Sequence, residues 1–245
     1  MESAYFSAFT VEEQAAHAAL VRRAETEQGP SAAAHIRPEL KVAELVVAVG
    51  DRLGLFADLA TALAVPGVDV VGAKVYTSKA GQALDVFYVQ DASGEPYGHE
   101  DSRKLERLAR ALEGAARGEP ARESSPGRLD LGRAQAFSIA PTVAVDNDAS
   151  EHCTVVEASG RDRPGLLGAL AQVIATEGLS IESAHIDNYG ERAVDVFYLQ
   201  EAGGKLPTRR TQSLKTALLE ALGQAEAVPP QGGLPLERAR ASVAR

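Results

Sequence analysis

One strand–corner–helix signature occurs twice in this chain, and it constrains the fold more than any other feature. In the clearer copy, the apolar run Thr154-Val155-Val156 leads into Gly160-Arg161-Asp162-Arg163-Pro164-Gly165-Leu166-Leu167. Leu166, Leu167, Leu170, Ala171, Val173 and Ile174 then recur with helical spacing. Proline suits a first helical turn because the N–H it lacks has no intrahelical partner there. Gly165 lets another group approach the bare N–H donors of that turn. Those donors, with the positive end of the helix dipole, suit a small anion such as an amino-acid carboxylate. The other copy is Gly50-Asp51-Arg52-Leu53-Gly54-Leu55-Phe56, with Leu53 where the proline stands.

A duplicated element in 245 residues predicts two small domains rather than one large one. The hydrophobic fraction of 45% is enough for two cores. A net charge of −9 argues against a nucleic-acid or anionic-membrane binder. The single cysteine, Cys153, excludes an internal disulfide, fits a reducing cytoplasm and reads as a small buried residue. There is neither an apolar run long enough for a membrane span nor a signal-peptide pattern at Met1–Thr10.

Taken in order, residues 1–43 read as an N-terminal helix and linker. Thr10 and Glu13 have capping-box spacing ahead of a helix over 11–27, and Gly29-Pro30 and Pro38 mark 28–43 as linker. The first repeat reads as strand Leu45–Val49, corner, helix, strands Val68–Thr77 and Ala83–Gln90, and a helix carrying Leu105, Leu108, Ala109 and Leu112. One more strand closes a ferredoxin-like βαββαβ unit. Phe137–Val145 is the candidate, which places the first unit at 44–148 with a flexible insertion at about 114–133. The second unit spans 149–223, with Leu214, Ala217, Leu218, Ala221 and Leu222 in its last helix, and 224–245 is a tail. No final strand follows that helix, so the slot is empty or filled by another part of the chain.

Two details tie the copies together. Asp85-Val86-Phe87-Tyr88 recurs as Asp195-Val196-Phe197-Tyr198, and apolar alternation slips at Val70–Ala73 and again at Ile181–Ala184, which predicts a β-bulge in each. Val86–Val89 and Val196–Leu199 are apolar on both faces and need cover on both. The fold class is therefore α+β, two ferredoxin-like units packed together behind a short helical segment. Their twin corners are expected to meet at the shared boundary, so that one metabolite bridges them.

No catalytic constellation is present. The histidines show no metal-ligand spacing, there is no His-Asp dipeptide, and no phosphate loop or nucleophile elbow occurs. Asp146-Asn147-Asp148 reads as a turn. An RNA-recognition motif is excluded because the third strand lacks its basic-glycine-aromatic core. No metal or cofactor is expected in this chain. The candidate ligand-binding residues are Asp51, Gly54, Leu55, Lys74 and Tyr76 in the first copy, and Asp162, Gly165, Leu166, His185 and Asn188 in the second. The aspartates would accept from an amino group or cap the helix, the Gly-Leu pairs would donate N–H groups to a carboxylate, and the strand residues would contact a side-chain amide. Asp85 and Asp195 read as structural turn contacts.

Asp-Arg-Pro-Gly-Leu-Leu after an apolar strand, in a unit of about 70 residues, resembles the ACT domain, an amino-acid-sensing module. More narrowly, four stretches resemble the bifunctional uridylyltransferase/uridylyl-removing enzyme that modifies the PII nitrogen-signalling protein. They are Phe9–His17, Ala83–Asp91, Val145–Ser150 and Ala184–Tyr198. That resemblance implies a regulatory module that binds glutamine and governs PII modification. It also implies that this chain is the C-terminal part of a longer enzyme. The nucleotidyltransferase and phosphohydrolase domains, with their magnesium or other divalent metal, are missing from it. Expected partners are glutamine or a related amino acid, PII through the parent enzyme, and the catalytic domains or another protomer through the sheet faces. A scaffold without a ligand and an enzyme of unrecognised type are the competing readings.

Overall fold

The computed structural model describes residues 3–65, 67–119 and 139–223. It contains two four-stranded antiparallel sheets, one per repeat, in an α+β architecture. Helices α1 (Ser3–Ala8) and α2 (Val11–Glu27) come first. Thr10 and Glu13 form the expected capping box, with the Thr10 N–H donating to Glu13 at 2.7 Å and the Glu13 N–H to Thr10 at 3.3 Å.

The first unit then runs β1 (Ser31–Arg37), β2 (Val42–Gly50), α3 (Leu55–Ala62), β3 (Asp69–Thr77), β4 (Gln82–Gln90) and α4 (Ser102–Ala116). The second runs β5 (Thr142–Asp146), β6 (Thr154–Arg161), α5 (Leu166–Thr176), β7 (Ser180–Tyr189), β8 (Arg192–Gln200) and α6 (Thr208–Gly223). The sheet orders are β1-β2-β4-β3 and β5-β6-β8-β7. Both keep the strand order of a βαββαβ unit, but the chain enters each sheet at the edge strand that such a unit adds last.

This connectivity corrects two boundaries. The segment expected to be linker, 28–43, contains β1, which pairs with β2 from Ser31 opposite Ala48 to Arg37 opposite Val42. Its sequence, Ser-Ala-Ala-Ala-His-Ile-Arg, has almost no strand propensity of its own, and the β2 edge imposes the conformation. Of the strand expected to close the first unit, Phe137–Val145, the first two residues lie outside the described ones, and the strand observed there, β5, pairs with β6 of the second unit. It therefore fills the slot left open there. Residues 114–116 of the expected insertion belong to α4, while 120–133 and the tail 224–245 lie outside the described residues.

The predicted bulges are present, with register slips between Val70 and Gly72 and between Ile181 and Ser183. Asp146–Asp148 is the expected turn, its Asp146 carboxylate accepting from the Asp148 and Ala149 N–H groups. Cys153 is buried.

Helices α3 to α6 cover one face of both sheets and share a single core with them, including Phe87 and Phe197. The other face of the first sheet is covered from within the chain. Tyr5 and Phe9 with Leu20 and Ala24 of α2 bury Val46, Ala48, Leu84 and Val86. Arg37 fixes α2 in place, donating to Glu13 at 2.5 Å and to the buried Glu44 at 3.1 Å. On the second sheet Val194 and Val196, which match the fully buried Leu84 and Val86, are only partly buried.

The units join through two contacts. Edge strands β3 and β7 run antiparallel side by side, with Gly72 facing the Ile186 carbonyl and Asn188 donating to the Val70 carbonyl at 3.3 Å. Helices α3 and α5 lie antiparallel against each other, because the corner at Gly54 meets Ala175 and the corner at Gly165 meets Ala64. Of the glycines along this contact, Gly168 is the most tightly packed. A Cβ there would lie 3.1 Å from Thr61 Oγ1 and 3.3 Å from the Thr61 backbone. Replacing a glycine inside a helix by alanine ordinarily stabilises by about 1 kcal/mol. Gly168→Ala is expected to do the reverse, lowering stability by about 1–3 kcal/mol through overpacking, seen as a lower urea midpoint.

Candidate functional site

Each corner is built the same way. The strand ends in an N–H bond to the neighbouring hairpin, Asp51 to the Gly81 carbonyl at 2.8 Å and Asp162 to the Glu191 carbonyl at 2.9 Å. Gly54 and Gly165 then adopt φ of +80°, a region that costs any residue with a Cβ, and become the N-caps of α3 and α5. Neither cap carries a side-chain hydrogen bond. The Leu55 and Leu166 N–H groups, expected to face a ligand, instead close the turn onto the Arg52 and Arg163 carbonyls at 3.1 Å. The next donors, Phe56 and Ala57 in one copy and Leu167 and Gly168 in the other, have no backbone partner.

Two clefts form where the corners meet the opposite unit. The first, of about 140 Å³, is bounded by Asp51–Ala57, Val75 and Asp85 of the first unit and by Ala171, Ala175 and Leu179–Ile181 of the second. The second, of about 290 Å³, is bounded by Asp162–Leu167, Ile186, Asn188 and Asp195, and across the boundary by Ala60, Leu63, Ala64 and Gly67–Val70. The antiparallel helices hold the corners at opposite ends of the α3–α5 pair. Each cleft therefore bridges the two units by itself, and the expectation of one metabolite spanning both corners is replaced by two related sites.

The strand phase decides which candidates reach these clefts. After each bulge, Ala73 and Val75, or Ala184 and Ile186, face the helices. Lys74 and Tyr76 consequently point to the opposite face. Lys74 donates to the Ala8 carbonyl at 3.4 Å and lies 4.8 Å from the Phe9 ring centre, and Tyr76 sits edge-on to Tyr5. His185 likewise points away, edge-on to Tyr198. Asn188 does face the second cleft, donating to Asp162 at 3.3 Å while its amide also holds Val70. Its counterpart Thr77 donates to Asp51 at 3.0 Å.

Two residues assigned a turn role lie instead in the clefts. Asp85 and Asp195 are 1% and 2% exposed, and each is on the helix-facing side of its strand. Both carboxylate oxygens of Asp85, and Oδ1 of Asp195, have no hydrogen-bond donor in the protein. The basic side chains of the corners are directed elsewhere. Arg52 donates to Asp58 at 2.6 Å and to the Ala115 carbonyl at 3.1 Å, and Arg163 donates to the Ala221 carbonyl at 2.9 Å. Burial pushes the Asp195 carboxyl up to about 7, helped by Asp162 and Asp187. Burial, with Asp51 nearby, holds Asp85 well above the usual carboxylate range. Asp162 is raised more modestly, by burial and by Asp69. The repeat of Asp85-Val86-Phe87-Tyr88 was the available signal, but sequence does not show that no donor would meet these carboxylates.

Among the described residues no group of three or more His, Cys, Asp or Glu side chains is placed to hold a metal, and no helix is long and apolar enough to cross a membrane. No protein-family model matches the chain. Its curated relatives are more informative. A bifunctional uridylyltransferase/uridylyl-removing enzyme of Phenylobacterium zucineum is 58% identical over the whole chain, and that of Caulobacter vibrioides 56%. By sequence, the chain belongs with a segment of these enzymes. It spans about a quarter of their length, 26% in both cases. A more distant uridylyltransferase/uridylyl-removing enzyme, from Gluconobacter oxydans, is 38% identical over 92% of the chain. Among solved structures, an aspartate kinase from Synechocystis overlaps 75% of this chain and 26% of its own at 21% identity, with a TM-score of 0.38, too loose to bear on function.

The buried carboxyl in the second cleft sets a pH dependence. Asp195 holds its proton in the fold up to about pH 7, whereas an unfolded aspartate releases it near pH 4. Between those limits the native state binds more protons, so this contribution to stability is full at low pH and is lost as pH rises through 7. Asp195→Asn is expected to raise Tm little at pH 4, increasingly toward pH 7, and by a constant amount above it. The plateau is on the order of 4 kcal/mol at most, measured as melting curves of both proteins from pH 4 to 8.

Proposed function

We propose that this chain is an amino-acid-sensing regulatory module, that glutamine is its ligand, and that it governs the uridylylation and deuridylylation of PII by a parent enzyme. The observation that carries the reading is the composition of the two clefts. Each sets unpartnered N–H donors at a helix start against buried carboxyls, and each is walled by both units. A carboxylate at the donors gains the dipole and hydrogen bonds of the helix terminus. A ligand lodged there touches both units at once, so it favours one arrangement of the pair over any other by its difference in affinity. Kinship with the uridylyltransferase/uridylyl-removing enzymes supports the choice of parent enzyme, and glutamine follows from the nitrogen-signalling role that the sequence resemblance implies. In this reading the module performs no chemistry, and any divalent metal belongs to domains outside it.

A scaffold reading has one observation in its favour, the partly exposed Val194 and Val196 on the face of the second sheet away from its helices. The two readings part on titration calorimetry of the chain with glutamine, glutamate and asparagine. Saturable heat with glutamine, weaker with the other two, is expected for a sensor. Absence of heat with all three, with no shift in Tm, leaves only the scaffold.

A further inference from the structure

The sensing reading says what class of molecule enters the clefts but not which of its groups is indispensable. Buried charge answers that. A carboxylate removed from water without a donor is costly, and a fold ordinarily pairs it or keeps it protonated. Here the same uncompensated position occurs in both copies, on the wall facing each cleft, while the guanidinium groups of the corner arginines are engaged by Asp58 and by the Ala115 and Ala221 carbonyls. Every other ionisable neighbour acting on Asp195 is acidic, Asp162 and Asp187, and the one acting on Asp85 is Asp51. Asp69 adds a further negative charge beside Asp162, and Arg163 is the one cation that acts on Asp162. Each cleft thus has an anion-binding pole at the helix start and an acidic pole at the strand.

Resting on the sensing reading, we propose that Asp195 and Asp85 are specificity-determining residues that receive the ligand's α-ammonium group. The clefts then select zwitterionic amino acids over simple carboxylates, phosphates or nucleotides. The two poles are complementary to the two charged ends of one small molecule, and a charge-assisted hydrogen bond to Asp195 would satisfy an oxygen that has no donor in the protein. The second cleft is the larger of the two, at about 290 Å³ against about 140 Å³. Asp195 is accordingly the residue to test.

A proton balance follows. Near pH 7 the empty Asp195 carboxyl is partly protonated, and an ammonium group beside it favours the carboxylate. Binding therefore releases up to roughly half a proton per second-cleft site at pH 7, and affinity falls on acidification.

The experiment uses the full chain with two probes, L-glutamine and 4-carbamoylbutanoate, which is glutamine without its amino group. Calorimetry at pH 7 in phosphate and in Tris, buffers of different ionisation enthalpy, reads the proton count. The wild-type chain is expected to bind 4-carbamoylbutanoate about 10- to 100-fold more weakly than glutamine. Asp195→Asn is expected to weaken glutamine by a similar factor, to change 4-carbamoylbutanoate by less than about threefold, and to remove the buffer dependence of the heat. Melting curves confirm that the variant is folded. Equal binding of both probes to the wild-type chain overturns this proposal and leaves the sensing reading standing. Parallel loss of both probes in a folded Asp195→Asn chain does the same. If neither probe binds the wild-type chain, both readings fall together.

Discussion

The close approach of α3 to α5 is the constraint on which the rest depends. With Gly168 laid against the Thr61 backbone, the helices come near enough for each corner to reach the far end of the opposing helix, Gly54 at Ala175 and Gly165 at Ala64. The same approach brings β3 alongside β7. Both clefts are by-products of that geometry, since each is half corner and half neighbour. Separating the units would open them to water and remove one wall from each.

On the proposed reading, this arrangement makes a local backbone feature part of the coupling between the units. A helix start with unpartnered donors is common, and alone it says little about a ligand. Here it faces a carboxyl that the fold buries without compensation, twice, at a boundary between two bodies. The unfavourable charge is the part most sensitive to occupancy, because a cation supplied from outside relieves a cost the empty protein carries. Asn188 adds a difference between the sites. It reaches both Asp162 and the Val70 carbonyl, tying the second cleft across the boundary, whereas Thr77 is too short to do more than hold Asp51.

The N-terminal helices show how the first unit completes its core. Tyr5 and Phe9 cover a sheet face whose counterpart on the second unit has Val194 and Val196 only partly buried. The weak apolar stripe of α2 is sufficient because much of the cover comes from these two aromatics, with Arg37 joining Glu13 to Glu44. The two repeats, alike in backbone, therefore present different surfaces to any further domain.

What the sequence determined by itself was local. Glycine at a fixed spacing set both corners, with proline before it only in the second, Thr10 and Glu13 set the start of α2, and the broken alternation at Val70 and Ile181 set the bulges, because each depends on backbone sterics and neighbours a few residues away. Tertiary structure alone decided the long-range matters. Ser31–Arg37 became a strand only because β2 offered an edge, and β5 joined the second sheet rather than the first because pairing is settled by the partner. The phase after the bulge sent Lys74, Tyr76 and His185 to the far face, since a period of two allows alternate residues only one side. The burial of Asp85 and Asp195 depends on what stands opposite them, and no stretch of sequence contains its own opposite wall.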